Sequence, residues 1–133
     1  MVKTEMGMLR DFLEKFGLDY KGIPRELPRD ISTFRIALIT EELAEYIEAI
    51  NNNNLEKQLD ALVDMVYVII GTSCLQGFNF DEAFSRVHFA NMKKKRSVGT
   101  VLDGRGSVYD VVKPEGWTPP FLSDLVRNNN DVK

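Results

Sequence analysis

The sequence predicts an all-α fold: a four-helix unit followed by an irregular C-terminal extension. Three observations predict it. Apolar residues recur at helical spacing up to about Ser97, capping and stop residues punctuate them, and three of the five prolines fall after that point among β-branched pairs. At 133 residues the chain suits one domain, read as residues 1–133 with a helical core over about 4–97 and a strap over about 98–133.

The first helix spans roughly Thr4 to Phe16, with Met8, Phe12 and Phe16 at helical spacing and Gly17 as its stop. The stretch DYKGIPRELPRD carries a glycine and two prolines and forms a loop. Asp30 or Ser32 caps the second helix, which runs to about Ile50. Asn51 to Asn54 make a turn, because asparagine tolerates left-handed backbone angles. A third helix follows from about Leu55 to Gln76 and stops at Gly77. Asn79 caps the fourth, with Glu82 completing a capping box and Phe78 and Ala83 placed as a hydrophobic staple. That helix is expected to reach Lys93-Lys94-Lys95-Arg96. VGTVLDGRGSVYDVV suggests a loose hairpin, KPEGWTPPFL an extended strap, and NNNDVK a frayed end.

A net charge of −3 gives no whole-protein attraction to a nucleic-acid polymer or an anionic membrane. The lone cysteine, Cys74, excludes an intrachain disulfide or thiolate cage and fits a small buried hydrophobe in a reducing, cytoplasmic setting. The N-terminus interrupts its apolar residues with charges, unlike a signal peptide, and the apolar run Ala61–Leu75 contains Asp64 and is too short to cross a bilayer.

The second helix carries Glu41, Glu42, Glu45 and Glu48. At about 100° per residue, Glu41, Glu45 and Glu48 share a line with Glu42 beside it, roughly opposite Ile36, Ile39, Leu43, Tyr46, Ile47 and Ile50. Such a face is often simply solvated. Phe34 and Leu38, however, precede the glutamates on their own side, and like charges at these spacings weaken a helix unless something offsets them. On the third helix Asp60 and Asp64 project from one face. Around Asp64 the sequence ALVDMVYVIIG is apolar on nearly every side, so an unpaired carboxylate there is costly. A tyrosine hydrogen bond, an arginine pair or a cation would each relieve it. Tyr67, one turn on, fits either the core or a place behind the cation.

Carboxylates without clustered histidine or cysteine suit a hard cation, Mg²⁺ first and Mn²⁺ second. A di-iron bundle needs Glu-x-x-His pairs, and the residue three before His88, the only histidine, is Ser85. On the fourth helix Phe84, Val87, His88 and Asn91 line one side. His88 reads more readily as a core histidine than as a catalyst. The cations Lys93, Lys94, Lys95 and Arg96 complement the helix dipole, or else Asn91 and Lys94 reach phosphates held by metal. Trp117, Tyr67 and Phe80 are stacking candidates for a base, and Trp117 serves equally as a packing anchor.

Taken together, EELAE at 41–45, DALVDMVYVIIG at 60–71, VHFANMKK at 87–94 and DVVKPEGWTPPFLSDL at 110–125 resemble the MazG-like all-α nucleoside triphosphate pyrophosphohydrolases. That group also includes phosphoribosyl-ATP pyrophosphohydrolases and all-α dUTP and dCTP pyrophosphatases. The resemblance covers roughly residues 30–125. It implies Glu42, Glu45 and Asp64 as Mg²⁺ ligands, Glu41 as the group that activates water or stands behind the ligands, and Asn91 and Lys94 near the phosphates. The family's remaining ligand, a glutamate three before Asp64, is Ala61 here, and adjacent Asp60 is the substitute. The implied reaction converts a (d)NTP to (d)NMP and pyrophosphate in a homodimer or homotetramer. The rivals are a phosphoribosyl-ATP pyrophosphohydrolase of histidine synthesis and a non-enzymatic helical adaptor.

Overall fold

In the computed structural model, which describes residues 2–96 and 111–127, Thr4 opens α1 (Glu5–Lys15) by accepting the backbone N–H of Gly7 on its hydroxyl. Gly17, in the left-handed region at φ 67°, ends it. Helix α2 (Arg29–Asn51) begins earlier than the sequence suggests. Pro28, not Asp30 or Ser32, occupies the cap position without a side-chain bond, and the Ser32 hydroxyl donates back to the Arg29 carbonyl. Proline fixes φ near the helical value and lacks the N–H that a first turn leaves unused, so it starts the helix directly.

The asparagine run works as expected. Asn51 closes α2, Asn52 is its C-cap, Asn53 takes φ 51°, and the Asn54 side chain accepts from the Lys57 N–H to start α3 (Leu55–Leu75). Gln76 is the C-cap of α3 and Gly77 turns the chain at φ 75°.

Helix α3 packs against both α1 and α2. Met6, Leu9 and Leu13 of α1 close on Ile70 and Cys74 of α3, with Tyr67, Leu75 and Phe80 against them. Tyr67, half-buried, meets Phe12 edge-on and packs against this core. The loop before α2 is tied to the end of α3. The Arg25 backbone N–H donates to the Gln76 carbonyl, its Nε to the Leu75 carbonyl, and Gln76 Nε2 to the Arg25 carbonyl.

Between α2 and α3 the contact side differs from the expected one. Ala49 and Ala61 are buried and Arg35, Leu38 and Glu42 half-buried, whereas Ile36, Leu43, Ile47 and Ile50 are exposed. Small residues let the backbones approach, and the Arg35 guanidinium bridges them, donating from Nε to Thr72 Oγ1 and from Nη2 to the Val68 carbonyl at 2.9 Å each. Burial depresses its pKa. Helix α3 is correspondingly less enclosed than its composition suggests, with Leu55, Leu59, Leu62, Val66 and Ile69 exposed. Its 21 residues meet the length and composition of a membrane crossing, unlike the shorter apolar run within it, a test that core helices of soluble proteins also pass.

Two compact units are distinguished: the residues to Phe80 together with those from Leu125, and Asp81–Asp124. The second contains most of α4 (Phe80–Asn91), which starts directly after Asn79 but stops short of the basic stretch. Lys95–Arg96 form instead a short strand, β1, antiparallel to β2 (Val111–Val112). Residues 97–110, which include most of the sequence read as a hairpin, and the NNNDVK end from residue 128 lie outside the described residues. Ala90 is the buried residue of α4, while Phe84, Val87 and His88 are exposed, so His88 is not a core histidine. The strap crosses the Arg86–Ala90 side. Arg86 forks onto Asp124 at 2.6 and 3.0 Å, donates to the Phe121 carbonyl and to Glu82, and Trp117 Nε1 donates to the Ala90 carbonyl at 2.7 Å. These bonds anchor an otherwise irregular segment.

Candidate active site

Glu41 and Glu45 stand one turn apart on α2 with Glu42 beside Glu41, and Asp60 and Asp64 one turn apart on α3. Because the α2–α3 contact runs along the Arg35–Leu38–Glu42–Ala49 side, the glutamates border the interhelical seam instead of lying opposite it. Glu42 and Asp64 are half-buried; Glu41, Glu45 and Asp60 are exposed.

The acids from the two helices act on one another. The Glu42 carboxyl is pushed up to about 7, first by burial, then by a hydrogen bond to Glu45, then by the charges of Glu45, Asp64 and Glu41. Asp64 is also raised, by burial and then by Asp60 and Glu45. Among the described residues Asp64 takes neither a tyrosine hydrogen bond nor an arginine pair. Arg35, which bridges α2 and α3, is committed to Thr72 and Val68.

One atom tests whether these residues suit a cation. Glu42 Oε2 is buried and has no hydrogen-bond partner among the described residues. A carboxylate oxygen removed from water without a donor is costly unless it is protonated or meets a cation. The charged groups that act on Glu42 are the carboxylates of Glu45, Asp64 and Glu41, and oxygen donors of this kind suit a hard divalent ion. No three His, Cys, Asp or Glu side chains among the described residues are drawn into a ready-made cage. Mutual repulsion favours that separation, and the side chains of Glu45 and Asp60 are exposed.

Beside this set, Glu45, Glu48, Ala49, Asn52, Lys57 and Asp60 line a cleft of about 310 Å³. Sequence reasoning gave no role to Lys57. Its signal was present, since Lys57, Asp60 and Asp64 follow at i, i+3 and i+7 on one face. Asn91 and Lys94 belong to the second unit. Asn91 is the exposed last residue of α4, and the Lys94 ammonium lies 5.1 Å from the centre of the Trp117 ring.

The described residues are mostly helical, and acids from two neighbouring helices act on one another across the α2–α3 seam. The chain belongs to the phosphoribosyl-ATP pyrophosphohydrolase family, matched over residues 9–91, within the MazG-like superfamily. A stretch of 47 residues, 35% of the chain, is also 45% identical to the uncharacterized protein L479 of Acanthamoeba polyphaga mimivirus. That stretch covers 19% of the viral protein's length.

Proposed function

We propose that the protein is a metal-dependent nucleoside triphosphate pyrophosphohydrolase that converts (d)NTP to (d)NMP and pyrophosphate. The observation that supports this most is the partnerless buried oxygen of Glu42 among the carboxylates of Glu41 and Glu45 on its own helix and Asp64 on α3. Glu42, Glu45 and Asp64 would hold Mg²⁺ or Mn²⁺, with Asp60, the neighbour of buried Ala61, as the additional acid. Bound there, the ion would acidify water and neutralise charge on the leaving pyrophosphate. Glu41, exposed beside Glu42, takes the proton of the attacking water on its carboxylate. For Asn91 and Lys94, in the second unit, the resemblance implies a role with phosphate oxygens.

Incubating the purified protein with Mg²⁺ and a panel of dNTPs, then assaying pyrophosphate, is expected to show release that Glu45→Gln or Asp64→Asn lowers by more than about 100-fold. A wild type inert toward every compound overturns the proposal. Phosphoribosyl-ATP belongs in the panel because the matched family carries its name. Turnover of that compound alone assigns the chain to histidine synthesis.

The same reading includes a homodimer or homotetramer in the cytoplasm. Leu55, Leu59, Leu62, Val66 and Ile69 repeat every three or four residues on α3, as do Leu43, Ile47 and Ile50 on α2, and all are exposed in the single chain. Apolar seams of this period suit a helical partner, here a second copy. Sedimentation should give a dimer or tetramer; a monomer at micromolar concentration rejects that part.

A further inference from the structure

The second unit brings two unpaired lysines to one tryptophan. Lys95 lies opposite Val112 and Arg96 opposite Val111, so the same register, continued by one place, sets Lys94 opposite Lys113. Their ammoniums lie 5.1 and 5.0 Å from the centre of the Trp117 ring. Neither makes an ion pair among the described residues.

Three fixed features hold this arrangement. The strand register aligns the lysines. A turn in which the Trp117 N–H donates to the Pro114 carbonyl, with Gly116 at φ 79°, folds the indole back beside Lys113. The bond from Trp117 Nε1 to the Ala90 carbonyl pins the ring to α4 and uses its only donor. Like charges facing each other across a strand pair are unfavourable. Two cation–π contacts offset part of that cost. An anion carrying several oxygens would turn the repulsion into attraction.

We propose that Lys113, facing Lys94, completes a clamp for a polyphosphate chain, with Trp117 as the positioning residue that holds both ammoniums. A nucleotide as the natural ligand rests on the pyrophosphohydrolase reading; the clamp itself can be tested apart from it.

Trp117 is the only tryptophan, so its fluorescence reports on the clamp. Titrating the whole protein with inorganic tripolyphosphate in EDTA should give a saturable change as the ammoniums move from ring to phosphate. Lys113→Met should raise the midpoint about tenfold, the size of one lost charge-assisted hydrogen bond, and Lys113→Arg should restore most of it. The KM for a dNTP should rise by a similar factor while kcat stays within about twofold. Lys113 is exposed, and an unchanged melting curve for the variant separates binding from folding. A midpoint and KM both unmoved by Lys113→Met overturn the clamp. A saturable titration that Lys113→Met shifts, in a protein hydrolysing no nucleotide, upholds the clamp and removes the hydrolase reading. Hydrolysis with a flat titration does the reverse.

Discussion

Replacing Glu42 by glutamine is expected to abolish pyrophosphate release while making the metal-free protein more stable at alkaline pH. The carboxyl, ordinarily near 4.5, is pushed up to about 7 in the folded chain. The fold therefore holds that proton more tightly than the unfolded chain does. The resulting stability is fully present below about pH 4.5 and is lost as pH rises through about 7. Asp64 shifts in the same direction. Glutamine stays neutral throughout, so Glu42→Gln should match the wild type near pH 4 and exceed it by about 1–2 kcal/mol at pH 8, the penalty of one partly buried unpaired charge. Thermal melts in EDTA at the two pH values measure this. Magnesium should then stabilise the wild type at pH 8 and leave the variant unmoved. Activity should fall more than about 100-fold, since even residues behind metal ligands are worth 10–100-fold. A variant no more stable than wild type at pH 8 would show that Glu42 carries no unrelieved charge.

The second large effect concerns Gly77. Its φ of 75° is one that L side chains rarely adopt, and a Cβ there would lie 3.0 Å from the backbone oxygens of both Gly22 and Ile23. Those oxygens belong to the loop that Arg25 and Gln76 bind to the end of α3, so neither yields without loosening the knot. Gly77→Ala should cost about 2–4 kcal/mol, the left-handed penalty plus displaced backbone, and lower Tm by roughly 10 °C. Gly17→Ala is the control. Its φ of 67° carries the conformational penalty, but nothing lies within 4 Å of the added carbon, so only about 1–2 kcal/mol is lost. Equal losses at the two sites would show that crowding by Gly22 and Ile23 contributes nothing.

The parts of the fold governed by near neighbours were legible. Thr4, the four asparagines, Gly17 and Gly77 set helix ends through bonds and backbone angles within a few residues. The end of α4 was not, because Lys95 and Arg96 leave the helix to pair with Val111 and Val112, far along the chain. The acids were legible as a set, since EELAE and the Asp60–Asp64 spacing fix which of them share a face. Which face of α2 meets α3 was less so. Periodicity shows where apolar residues gather, whereas contact is decided by Ala49 and Ala61, whose small size admits the opposite helix, and by Arg35 reaching Thr72 and Val68. His88 misled for the same reason: Ala90, not the bulkier Phe84 and Val87, marks the inward side of α4.

Cys74 is only 1% exposed, sealed by Met6, Leu9, Leu13 and Ile70. Oxidants and alkylating agents act on thiolates they can reach, so while α1 stays seated they find no sulfur to attack there. Chemical damage at this position follows opening of the α1–α3 core and does not cause it.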